Sequence, residues 1–84
     1  MDGISFVGRI VTDITGNPDC FDLSKSLDER GVLLTLSVDN AHMGRVIGKS
    51  GSTALAIRTL LISLGQQNGA RYSLKIEKRG DDES

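Results

Sequence analysis

The chain contains no tryptophan, one tyrosine and two phenylalanines among its 84 residues. Its core must therefore be aliphatic, and a broad aromatic platform for stacking bases is excluded. A lone cysteine, Cys20, rules out an intrachain disulfide, and a lone histidine, His42, leaves no cysteine–histidine set for zinc. The sequence offers no nucleophile–base pair, carboxylate dyad or metal-ligand cluster. The expectation is a non-enzyme without cofactor, metal or small-molecule substrate. No stretch approaches about 18 consecutive apolar residues, and the N-terminus lacks the basic start and apolar run of a secretory leader. A cytoplasmic protein without a membrane partner is expected. The length suits one small domain, placed at residues 1–80, followed by an acidic, disordered tail at 81–84.

Formal net charge is only −1, which excludes a strongly basic coat. The total hides an asymmetry. In residues 1–38, Arg9, Lys25 and Arg30 face six carboxylates and leave −3. In residues 39–80, seven basic residues face Asp39 and Glu77 and leave +5. The bland reading is a pair of solvated faces; the sharper one is an anionic partner for the second half.

Ile4, Val7, Val11 and Ile14 recur at helical spacing until Gly16 and Pro18 end the pattern. Phe21, Leu23 and Leu27 alternate along a strand over 20–27, and Asp28-Glu29-Arg30-Gly31 reads as a hairpin turn. Val32, Leu34, Leu36 and Val38 alternate with Leu33, Thr35 and Ser37, the pattern of an antiparallel sheet with one wet face. Asp39 or Asn40 can cap a short helix over 41–47. A longer helix, capped by Ser50 or Ser52, runs to about Gln67 with Ala54, Ile57, Leu61 and Leu64 as its stripe and Leu60 beside it. Asn68-Gly69 ends it, and 71–78 form the last strand. The order predicts an α+β fold, a three-stranded sheet with helices packed on one face. Met43 and the leucines of the long helix are assigned to the core, Cys20 is expected to be a half-buried thiol, and His42 a solvated helix residue.

Between the last two helical patterns lies Gly48-Lys49-Ser50-Gly51. Two glycines at this spacing let helices meet at a sharp angle. The second helix then presents free N–H groups and the positive end of its dipole to the loop, a ready seat for a phosphate. Lys49 adds a mobile charge. A mononucleotide P-loop is excluded, because Gly44 precedes Gly48 by four positions rather than five and follows no strand. A dinucleotide fingerprint is absent.

Val46-Ile47-Gly48-Lys49-Ser50-Gly51 resembles the V-I-G-x-x-G signature of the KH RNA-binding family. The element order α-β-β-α-α-β resembles its bacterial type II fold. Residues 43–49 and 56–60 are similar to those of small bacterial KH proteins. The resemblance covers nearly the whole chain and is most specific over 38–62. It implies single-stranded RNA held over about four nucleotides. Gly48, Lys49, Ser50 and Gly51 would touch the sugar-phosphate backbone and Arg45 would flank the entry. Val46 and Ile47 would line an apolar groove, opposite a wall carrying Lys75 or Arg71. Arg58 would reach RNA or form a surface ion pair. The resemblance also implies work as an RNA chaperone or post-transcriptional regulator. Its implied partners are a second copy, or a second KH protein of the Jag/KhpB type, in a homodimer or heterodimer. Ser52 and Leu55 stand where such proteins commonly carry basic residues, so binding is expected to be weak, roughly micromolar or poorer at physiological salt. The competing reading is a protein-interaction module in which the loop is a retained turn.

Overall fold

The structure, a computed structural model, describes residues 2–79. The tail expected at 81–84 lies outside the described residues. Helix α1 spans Gly3–Thr15, β1 Phe21–Asp28, β2 Gly31–Val38, α2 Asn40–Ile47, α3 Ser52–Asn68 and β3 Tyr72–Lys78, with a single 3-10 turn at Lys49–Gly51. This is an α+β arrangement in the order of a type II KH fold.

Each element begins or ends where local chemistry dictates. The Asp2 carboxylate accepts the Ser5 N–H at 2.8 Å and caps α1, and Gly16 closes it in the left-handed region at φ 71°. These contacts satisfy groups that a helix terminus otherwise leaves open. β1 and β2 form an antiparallel hairpin in which Asp28 faces Gly31 and Phe21 faces Val38.

The sheet is mixed, in the order β1-β2-β3, and not antiparallel throughout as the one-sided alternation of β2 suggested. β3 lies parallel to β2, with Leu34 opposite Leu74 and Leu36 opposite Ile76. The physical reason is connectivity. A strand can return parallel only through a long crossover, and residues 39–71 supply one made of two helices.

The helices cover the face that presents Leu34, Leu36 and Val38, all fully buried. Val7 and Val11 of α1, Val46 of α2, Ile57 and Leu61 of α3, and Leu74 of β3 complete the core. Each such side chain contributes roughly 1.5–3 kcal/mol by leaving water. Beyond the end of β3, the Arg79 guanidinium spans the sheet. Its Nε donates to the Asp22 carboxylate and its Nη2 to the Asp19 carbonyl, both at 3.0 Å.

Leu27 is 72% exposed, because it sits near the hairpin turn opposite the only partly buried Val32. Three burial expectations are corrected. Cys20 is fully buried rather than half-buried, with its thiol against the Asn17 carbonyl at 3.2 Å. Leu60 and Leu55 are 52% and 64% exposed, so these two leucines of α3 do not belong to the core. His42 is half-buried, its Nδ1 2.7 Å from the Asp39 carboxylate, rather than freely solvated.

Truncation should separate the two kinds of leucine. Leu36→Ala is expected to cost about 2–5 kcal/mol, and Leu60→Ala to stay within about 0.5 kcal/mol of the parent. Urea unfolding followed by circular dichroism measures both.

Candidate nucleic-acid interface

The loop is built from its flanks inward. Asp39 caps α2, accepting the His42 N–H at 3.0 Å on the same oxygen that meets the His42 ring. The histidine hydrogen bonds hold the Asp39 carboxyl below the usual carboxylate range, side-chain bond first. After eight helical residues α2 stops at Gly48, whose N–H still reaches the Gly44 carbonyl at 2.8 Å. One tight turn follows, closed by the Gly51 N–H on the Gly48 carbonyl at 3.1 Å. α3 then begins.

Three residues of this turn adopt positive φ: Gly48 at 79°, Ser50 at 55° and Gly51 at 78°. The two glycines serve different ends. A Cβ at Gly48 would stand 2.6 Å from Thr53 Cβ and 2.8 Å from its backbone nitrogen, so the α2 end and the α3 start are pressed together there. A Cβ at Gly51 would meet nothing within 4 Å. Gly51 therefore leaves open space beside the first turn of α3. Thr53 escaped the sequence reading; its signal was the close approach that glycine at 48 permits.

The end of α3 at this loop has no side-chain cap, although the Ser52 N–H already donates to the Lys49 carbonyl. Asp2 and Asp39 cap α1 and α2 with their carboxylates, whereas no side chain among the described residues caps α3. Neither Ser50 nor Ser52 plays the expected part: Gly51 occupies the cap position, and Ser52 is already helical. The first turn of α3 also carries no acid. Its N–H groups and the positive end of its dipole face the loop without an internal carboxylate to satisfy them.

The predicted site residues divide. Gly48, Lys49, Ser50 and Gly51 share the one turn, with Lys49 and Ser50 exposed. Arg45 is exposed one helical turn before Lys49, and neither cation forms an ion pair among the described residues. Val46 is fully buried in the core, so it props the loop from beneath, and the partly buried Ile47 is the apolar side chain nearer the surface. Arg58 makes no ion pair among the described residues. Its Nε donates to the Leu74 carbonyl of β3 at 3.3 Å, tying the two walls of a cleft together. Lys75 lies 3.5 Å from Glu77. Among the described residues no three His, Cys, Asp or Glu side chains gather to hold a metal, and no helix is long and apolar enough to cross a membrane.

Two measurements probe this geometry. Gly48→Ala should lower stability by about 1–3 kcal/mol, through strain at positive φ and collision with Thr53, read from its urea midpoint. Asp39→Ala should lower the melting temperature at neutral pH. The depressed Asp39 pKa stabilises the fold above the ordinary carboxyl value, and that contribution is lost as pH falls through the folded value. The gap between wild type and Asp39→Ala should therefore close below about pH 4.

Residues 4–76 match the family model described as KhpA/KhpB, KH domain. Relatives named RNA-binding protein KhpA include those of Chlamydia pneumoniae, Aquifex aeolicus and Bacillus subtilis. The first is 34% identical over 84% of this chain and 91% of the relative. The second is 38% identical over 76% and 81%, and the third 36% identical over 81% and 84%. No enzyme family is indicated, and no solved structure matches the chain. With this match over most of its length, the chain belongs to the KhpA/KhpB family of KH-domain proteins.

Proposed function

We propose that residues 1–80 act in the cytoplasm as a single KH unit that holds short single-stranded RNA at the Gly48–Gly51 loop. The observation that carries this reading is the start of α3, capped by no side chain among the described residues, beside an exposed Lys49 that forms no ion pair among them and the open space at Gly51. A phosphodiester accepts hydrogen bonds from helix N–H groups, is attracted by the dipole and by Lys49, and needs the close approach that a missing side chain allows. Arg45 steers the strand toward the loop. Ser50 contributes a hydroxyl, Ile47 an apolar contact beneath a base, and Val46 the packing that fixes the loop's height. Arg58 stands where a base or phosphate passes between α3 and β3.

Specificity is expected to be slight, since stacking on aromatic faces is the usual source of base contact energy and none flanks the loop. Weak, backbone-directed binding suits an RNA chaperone or a post-transcriptional regulator that must release its RNA. A second reading rests on a separate observation. Leu55, Leu60 and Ile62 are 64%, 52% and 50% exposed on α3. They favour a protein-interaction module, a homodimer or a heterodimer with a KH protein of the Jag/KhpB type.

Fluorescence anisotropy of a labelled, random single-stranded RNA at two salt concentrations tests the reading. Wild type should bind with a shallow salt dependence. The Lys49→Asp/Ser50→Asp variant, shown to be folded by circular dichroism, should bind about tenfold or more weakly. Equal binding by both proteins, or none by either, would move the interaction module to first place.

A further inference from the structure

Asp39 and His42 form a pair at the far end of α2 from the loop. One oxygen of the Asp39 carboxylate, Oδ1, accepts the His42 N–H at 3.0 Å and lies 2.7 Å from Nδ1 of the same residue's ring. That carboxyl is held below the usual carboxylate range and only accepts, so Nδ1 carries a proton toward it. The bond fixes both the orientation and the tautomer of the ring. Any partner from outside the protein must then be met by Nε2. The side chain is 25% exposed, enough to be reached from solvent while its orientation is held.

The ring stands in line with the loop. His42 and Arg45 are three residues apart on α2, hence neighbours on one face, and Lys49 follows one turn later. About 9 Å of helix separates His42 from Gly48. No carboxylate lies on α2 between the Asp39 cap and the loop. The charged groups of the helices packed against α2 are engaged elsewhere. Arg9 pairs with Asp13 along α1, Asp2 caps α1, and Arg58, the one charged residue of α3, bonds the Leu74 carbonyl. From the end of β3, Arg79 acts on Asp39 through space while Asp22 and Asp19 hold its guanidinium. The charges that bear on the ring are thus the Asp39 carboxylate in contact with it and the cations Arg45, Lys49 and Arg79 around it.

We propose that His42 is a further RNA contact, meeting a phosphate through Nε2 and making RNA binding depend on pH. This rests on the proposed function of the Gly48–Gly51 loop. Single-stranded RNA carries a phosphate at every nucleotide, so a strand gripped at the loop presents further phosphates along α2, past Arg45 and toward His42. A protonated Nε2 donates a charge-assisted hydrogen bond to a phosphodiester oxygen; a neutral Nε2 has no hydrogen to donate. Histidine side chains change charge between about pH 5 and 8. RNA that favours the protonated ring is itself bound more tightly by that form, because coupling between two ligands is reciprocal. The contribution is therefore present at the acid end of this range and is lost as pH rises through it.

The test titrates a labelled oligouridine, whose bases keep their charge over this range, at about pH 5.5 and about pH 7.5 and at several salt concentrations. His42 is the one histidine of the chain. Wild type should bind about fivefold more tightly at the lower pH. Its salt slope there should be steeper by about 0.7, the value of one more phosphate contact on a single strand. His42→Gln, whose amide can still donate to Asp39, should show one affinity and one slope at both pH values and match wild type at the higher pH. Circular dichroism and a urea midpoint at each pH confirm that both proteins are folded. A histidine that served the fold alone would move the midpoint and leave binding independent of pH. The inference is overturned if wild type binds equally at both pH values, or if His42→Gln keeps the pH dependence; the loop reading is then judged by Lys49→Asp/Ser50→Asp alone. Failure of wild type to bind at either pH overturns the loop reading and the role of His42 with it.

Discussion

The close approach of Gly48 to Thr53 is the constraint on which the site depends. It draws the end of α2 against the start of α3 and forces the intervening residues into one tight turn. With that contact go the positive φ angles, the exposure of Lys49 and Ser50, and a start of α3 whose cap position is a glycine with no side chain to offer. Val46 anchors the turn from below by joining the same core as Leu36 and Ile57. The site is a surface turn whose geometry joins a hydrogen bond within the loop to core packing beneath it.

Charge and backbone divide the labour. A helix terminus and absent side chains offer directional donors for a phosphate without reference to sequence. Lysine and arginine supply attraction that salt screens. The absence of nearby aromatics withholds the usual stacking energy. In the proposed RNA-binding role, a surface of this composition would favour transient, reversible contact with many strands over durable recognition of one.

Much of the fold could be read from the residues. The alternation of Val32 through Val38 announced the central strand, and the glycine pair between two helical patterns announced the loop. The gaps have physical causes. α3 carries Leu55, Leu60, Ile62 and Leu64 around much of its circumference, so spacing alone could not say which would meet the sheet. The parallel sense of β3 is a property of the crossover, not of the strand's own pattern, and β2 would read the same beside either orientation. Arg58 was legible as a cation off the core stripe. Its bond to a backbone carbonyl was not, because that acceptor comes from a strand sixteen residues away and carries no sequence signal. The serines near the start of α3 looked like caps by residue type, but the left-handed turn at Gly51 placed the cap elsewhere.

The mixed sheet ties binding competence to the order of assembly. β1 and β2 close across a turn of adjacent residues, a local step with little loop-closure entropy. β3 can join only after residues 39–71 have crossed the sheet, and the Gly48–Gly51 turn lies inside that crossover. A chain whose edge strand has not docked would keep its hairpin but lose the cleft's far wall.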